Sequence, residues 1–346
     1  MTSLAVNNSI YCASWPKTIE PTCATKIFNC AWNVFSLVCF PVGVARLLNH
    51  HVIRPYAIKN LLLPAINSFE GCRVNKKYRG SFKMANGKKI EGLFCQRLKH
   101  SDKLVIYCSG NGGLPSKKYL PRVLKGSGAS VLAVNYPGVA GSKGFPAANG
   151  LNLEESLALP VYSAFEYAVK KLNVAKENVL LYGFSIGGAA ATIGASYIES
   201  RYGKDAVKLI SDRSFSSLST LAVAYVSLIK ETIRKMPNQK TSVRGRVIKW
   251  VILNVPDFFV RAAVHLTGLE INAESAFKKL KTKNKCVIYA EKDQMIPYKA
   301  GATLYQGVQK VVDFFAIKLS NMHGHVTDFQ GHSNTLVRER IHEFFY

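Results

Sequence analysis

From about residue 79 onward, short apolar runs alternate with longer stretches of helical periodicity. Residues 79–84 and 89–97 alternate apolar and polar positions around Asn86-Gly87, the dipeptide favoured in two-residue hairpin turns, and predict an antiparallel pair. Residues 104–108, 131–135, 179–184 and 207–211 are nearly unbroken apolar runs, the pattern of strands covered on both faces. Residues 286–290 and 314–319 continue the series. Helical patterns fall between them, over 119–125, 154–172 (with Pro160 as an internal irregularity) and 187–199, and 334–345 closes the chain. No internal repeat is visible. This alternation of β and α predicts an α/β protein with a mostly parallel central sheet and helices on both faces.

Two segments break the rhythm. Residues 27–45 carry no charge and are bracketed by Lys26 and Arg46. That length would barely span a bilayer core, which needs about 20 residues. Lys26, Asn29, Asn33 and Ser36 fall on one helical stripe, and Pro41 and Gly43 break the end. A polar stripe on an apolar helix suits an interface or a groove better than a span. The second break is 218–277, where two apolar stretches flank a polar loop at 237–241 and Trp250, Phe258 and Phe259 add aromatic weight. It reads as a helical cap over the sheet edge. The expected organisation is an N-terminal amphipathic segment (1–70), a core of 71–217 and 278–346, and a cap inserted at 218–277. Trp250, Phe258 and Phe259 are expected to line a pocket under that cap.

Charge adds a partner class. The 346 residues hold 46 Lys and Arg against 21 Asp and Glu, a net charge of +25. Basic residues occur nearly throughout and are dense only at 278–285 (KKLKTKNK). Such a surface attracts phosphate, and no helix-turn-helix, RNA-recognition or zinc-finger signature points it at nucleic acid. An anionic membrane surface is the better expectation. Apolar residues at 48% exclude wholesale disorder. The eight cysteines form no C-x-x-C pair and no zinc-ligand spacing, so no metal or organic cofactor is implied and a reducing compartment fits. The first residues lack the basic and apolar regions of a secretory signal, so a cytoplasmic or peripheral membrane location is expected.

The chemistry is concentrated in Gly183-Phe184-Ser185-Ile186-Gly187, a G-x-S-x-G sequence preceded by an apolar strand and followed by a small-residue helix. That context presents a serine hydroxyl on a sharp strand-to-helix turn. Serine becomes nucleophilic only when an imidazole removes its proton and an acid orients that imidazole. Asp293, just past the 286–290 strand, is the expected acid, with Glu291 and Asp212 as alternatives. His325 is the expected base, with His323 the alternative and His332 a weaker one. The oxyanion of a tetrahedral intermediate would be held by the backbone N–H groups of Ile186 and of Asn111, the latter in the loop Ser109-Gly110-Asn111-Gly112-Gly113.

The loop Gly110-Asn111-Gly112-Gly113, the segment Asn135-Tyr136-Pro137-Gly138-Val139-Ala140-Gly141-Ser142-Lys143-Gly144 and GFSIGG together give residues 100–345 a resemblance to the α/β-hydrolase superfamily. They are similar to membrane-associated phosphatidylserine-lipase-type α/β-hydrolase-domain proteins, and more loosely to a chlamydial hydrolase-like family of unestablished function. The resemblance implies the α/β-hydrolase fold, with nucleophile, acid and oxyanion loop at Ser185, Asp293 and Asn111. Ser109 stands where such loops usually carry His, and the cap and N-terminus match no known pattern. Two functions are open at this level: a serine esterase or lipase acting on lipid or other esters through an acyl-enzyme, and a non-catalytic module of the same fold that binds membrane or protein.

Overall fold

A computed structural model of the chain describes residues 79–83, 89–95, 102–110, 121–137, 142, 153–235, 250, 252–266, 268–319, 324–325 and 331–345. Segment 1–70, with the helix expected over 27–45, lies outside the described residues, as does the hairpin turn at 84–88. The strands are β1 (Arg79–Lys83), β2 (Lys89–Cys95), β3 (Leu104–Cys108), β4 (Ser130–Val134), β5 (Val179–Phe184), β6 (Lys208–Asp212), β7 (Lys285–Tyr289) and β8 (Phe315–Lys318). They form one sheet in the order β1-β2-β4-β3-β5-β6-β7-β8. β2 runs antiparallel to β1 and β4, and the remaining pairs are parallel.

β3, β4 and β7 bury every residue and β5 all but its last, yet their side chains still divide by the two-residue period of the pleat. Leu104, Ile106 and Cys108 of β3, with Val179 and Leu181 of β5, face one core. Val105, Tyr107, Leu180 and Tyr182 face the other. The first core is covered by α2 (Leu153–Lys171), α3 (Ile186–Tyr202), α6 (Ala273–Lys279) and α7 (Leu304–Val308), and the second by α1 (Arg122–Lys125) and α8 (Gly331–Phe345). α2 continues through Pro160. The short α7, which periodicity does not reveal, is started by a capping box between Thr303 and Gln306.

Between β6 and β7 the chain leaves the sheet through α4 (Leu218–Lys235) and α5 (Asp257–Leu266) and returns into α6. Ser217 and Asn272 pair across the base of this excursion, and Leu218 N–H donates to Ile271 O at 3.0 Å. Among the described residues, no helix is long and apolar enough to cross a membrane.

Candidate active site

Strand order decides where a site can form. β4 lies on one side of β3 and β5 on the other, so the connections leave the sheet in opposite directions and open a crevice beyond the carboxyl ends of β3 and β5. Ser185 follows β5 directly, and Ser109 and Gly110 follow β3.

At Ser185 the strand turns into α3 with φ 56° and ψ −123°, a left-handed conformation costing a non-glycine residue about 1–3 kcal/mol. The turn is fixed on both sides. Ser185 N–H donates to Asp212 O at 2.9 Å, and Ser185 O accepts from Gly188 N–H at 2.9 Å. Two glycines allow the close approach. A Cβ at Gly183 would stand 2.1 Å from Gly187 O, and one at Gly187 would stand 2.1 Å from Cys108 O.

His325 Nε2 lies 2.9 Å from Ser185 Oγ, and His325 Nδ1 lies 2.8 Å from Asp293 Oδ2. A carboxylate can only accept, so the Nδ1 proton points to Asp293 and the Nε2 lone pair faces the serine hydroxyl. The other carboxylate oxygen, Oδ1, accepts Met295 N–H and Ile296 N–H, each at 2.8 Å. Asp293 is thus held by a turn of its own loop and buried with His325. Such a chain can take a proton from a hydroxyl and return it to a leaving group.

The other expected candidates are engaged elsewhere or lie beyond description. Glu291 pairs with Lys318, Nζ to Oε1 at 2.7 Å. Asp212 is bound at Oδ1 by Arg213 Nε (2.8 Å) and at Oδ2 by Arg213 Nη2 (3.0 Å) and Tyr182 OH (2.8 Å). Burial works against the Arg213 charge, but the Asp212 carboxylate outweighs it and raises the guanidinium above its ordinary range. His332 is in α8. His323 and Asn111 lie outside the described residues. Ile186 opens α3, and its N–H is among the first-turn amides that have no intrahelical acceptor. Arg213 and Phe184 are the neighbours that sequence reasoning missed. The Phe184 ring packs on His325 at 5.1 Å between centroids, and the Arg213 guanidinium lies 4.8 Å from the Phe184 centroid. The Asp212-Arg213 dipeptide at a strand end was the available signal.

Among the described residues, no group of three or more His, Cys, Asp or Glu is placed to hold a metal ion. Cys108 and Cys286 are buried in β3 and β7, and burial pushes the Cys286 thiol up to about 12.

Among the described residues, the aromatic side chains between β6 and β7 enclose no pocket. Trp250, Phe258 and Phe259 are 67%, 62% and 57% exposed. Asp257 pairs with Lys230 of α4 (3.7 Å), Arg261 Nη1 donates to Thr220 of α4 (3.0 Å), and His265 reaches Glu270 (3.3 Å). Val260, Ala262 and Val264 of α5 are half-buried, whereas Phe258, Phe259 and Leu266 are exposed. α4 is latched to the acid loop by Tyr225 OH, which donates to Met295 O at 2.5 Å.

A mostly parallel sheet in this order, with a serine on the strained turn after β5 and a histidine and aspartate delivered from beyond β8 and β7, is the α/β-hydrolase fold. The chain is similar in sequence to a lipase and in fold to esterases. Phosphatidylserine lipase ABHD16A of Bos taurus is 30% identical over 210 residues, covering 56% of this chain and 35% of that protein. The Homo sapiens protein of the same name is 29% identical over the same length. The chain therefore spans about a third of the length of these relatives. The solved structure of a Pyrococcus furiosus esterase has a TM-score of 0.53 at 14% identity, covering 81% of this chain and 94% of that one. An α/β-hydrolase of Vibrio vulnificus gives 0.52 at 17% identity, over 83% and 91%. At these identities the structural likeness shows the fold alone. No protein-family model matches the chain.

Proposed function

We propose that this protein is a serine hydrolase that cleaves carboxylic esters of lipids at an anionic membrane surface. The observation that carries the reading is the pair of hydrogen bonds linking Ser185 Oγ to His325 Nε2 and His325 Nδ1 to Asp293 Oδ2. Ser185 Oγ attacks the ester carbonyl while His325 takes its proton, and Asp293 stabilises the imidazolium that results. The oxyanion is met by the N–H of Ile186 and that of Asn111, each worth about 3 kcal/mol in the barrier. His325 then protonates the departing alcohol, leaving an acyl-enzyme. Water, deprotonated by the same imidazole, releases the acid and restores the serine.

A fluorophosphonate tests the chemistry, because it phosphonylates only an activated serine. The expected result is one adduct per folded chain, located by mass spectrometry on Ser185. Absence of any adduct on folded protein overturns the hydrolase reading in favour of a binding module of the same fold.

The lipid part of the reading is supported by the phosphatidylserine in the name of the relatives, the net charge of +25 and the exposed aromatic residues of α5. Aromatic rings enter the acyl boundary while cations meet the headgroups. Phe258→Ser combined with Phe259→Ser should weaken binding to vesicles containing an anionic phospholipid about a hundredfold or more, since each buried ring contributes about 1.5–3 kcal/mol. Hydrolysis of a water-soluble p-nitrophenyl ester should stay unchanged. Undiminished vesicle binding in a sedimentation assay would remove α5 from the membrane contact.

A further inference from the structure

We propose that Arg213 is a positioning residue for His325. Its guanidinium holds the peptide unit that leads into His325 and the ring on which His325 rests. The inference rests on the reading of Ser185, His325 and Asp293 as catalytic, and it concerns a residue that touches none of their side-chain bonds.

Arg213 follows β6 with φ 45°, a left-handed backbone uncommon outside glycine. Its own N–H donates to Ile288 O of β7 at 2.8 Å. The backbone is thereby anchored between two central strands, and the side chain, 5% exposed, stays inside the protein. Nε and Nη2 grip the two oxygens of Asp212. Bidentate pairing fixes the guanidinium plane, which a lone contact would not do. The remaining nitrogen, Nη1, donates to Gly324 O at 3.2 Å. That carbonyl belongs to the peptide plane that also contains His325 N and Cα, so holding it fixes the orientation of that plane and the point from which the His325 side chain departs. The face of the same guanidinium lies over Phe184, and the Phe184 ring packs on the imidazole.

Asp212 completes the logic from the other side. Its carboxylate carries Arg213, and its backbone O accepts the N–H of Ser185. One buried ion pair therefore touches the turn that presents the nucleophile and the loop that presents the base. Tyr182 OH, from the strand that precedes the nucleophile, locks Asp212 Oδ2. The pair's charges compensate each other, so its contribution to His325 is chiefly geometric: it sets the approach of Nε2 to the Ser185 hydroxyl.

The test compares Arg213→Met, the double variant Asp212→Asn/Arg213→Met, and Arg213→Lys on a water-soluble short-chain ester. The double variant removes both charges together and avoids leaving a bare buried carboxylate. Lys keeps the charge that Asp212 needs but lacks the planar fork that spans Asp212 and Gly324 at once. Displacing a reacting group by about 1 Å costs about 100-fold in rate. The expected result is kcat lowered about 100-fold in both Met variants and about tenfold in Arg213→Lys, with KM within about threefold of wild type. The low-field proton resonance of the His325–Asp293 hydrogen bond should broaden or vanish in the Met variants while circular dichroism stays native. Wild-type kcat and an unaltered resonance in the folded variants overturn the proposal, and Arg213→Lys alone decides it if the Met variants do not fold. A wild-type protein that neither hydrolyses esters nor reacts with fluorophosphonate would instead sink the underlying hydrolase reading.

Discussion

Ser185→Ala is expected to lower kcat for ester hydrolysis about a million-fold, as loss of the nucleophile does where serine, histidine and carboxylate act as a unit. The size of the effect follows from the geometry. His325 Nε2 stands 2.9 Å from the Ser185 oxygen, and with that oxygen gone the imidazole faces only a methyl group and whatever water enters. Residual turnover would come from substrate binding and oxyanion donors alone. The fold should tolerate the change well. The side chain is partly exposed and gives up one hydrogen bond, worth about 1 kcal/mol. The strained turn is a property of the backbone, which the alanine inherits. Stopped assays with a chromogenic ester, paired with urea denaturation, measure both quantities. A variant that kept wild-type hydrolysis would remove Ser185 from the chemistry.

The largest loss of stability is expected from Gly187→Ala. A Cβ at this position would meet Cys108 O at 2.1 Å and Ser109 O at 2.5 Å. Both are backbone atoms of β3 and its exit, so no side chain can swing aside. α3 and β3 would have to separate, and α3 packs directly against β3 and β5. Overpacking of a core commonly costs about 1–3 kcal/mol, and a clash with main chain belongs at or above the top of that range. We expect about 3 kcal/mol or more by urea denaturation. Fluorophosphonate reactivity should be lost as well, because the same displacement parts the nucleophile from the loop after β3. An alanine variant as stable as wild type would mean that the two elements are not so close.

The strands were legible because they are covered on both faces. Residues 104–108 and 179–184 are apolar throughout, and β3 and β5 occupy those spans. The elbow was legible for a related reason: steric demand at Gly183 and Gly187 is written as residue type. The choice of imidazole rested on less, the glycine before His325 and the apolar stretch after it. His325, the expected base, is bonded to Ser185, and His323, two residues earlier in the chain, lies outside the described residues. Asp212 looked available as an acid because a strand-end carboxylate says nothing of its partner, and here the next residue, Arg213, occupies both of its oxygens. The aromatic residues of α5 were misread as pocket lining. An amphipathic period shows that a helix has two faces but not which one the body holds, and here Val260, Ala262 and Val264 are the half-buried side chains. Thr303-Leu304-Tyr305-Gln306 was a readable helix start that apolar periodicity alone passes over.

The narrow neck between Ser217 and Asn272 has an evolutionary corollary. Because outgoing and returning chain are already hydrogen-bonded there, closing a shorter or longer loop at that point changes the closure entropy by only about 0.6 kcal/mol per doubling of length. The whole roof can be exchanged, lengthened or trimmed by a single recombination event while the floor that holds Ser185 stays folded. A lineage could in this way acquire new appetites without reinventing its reaction.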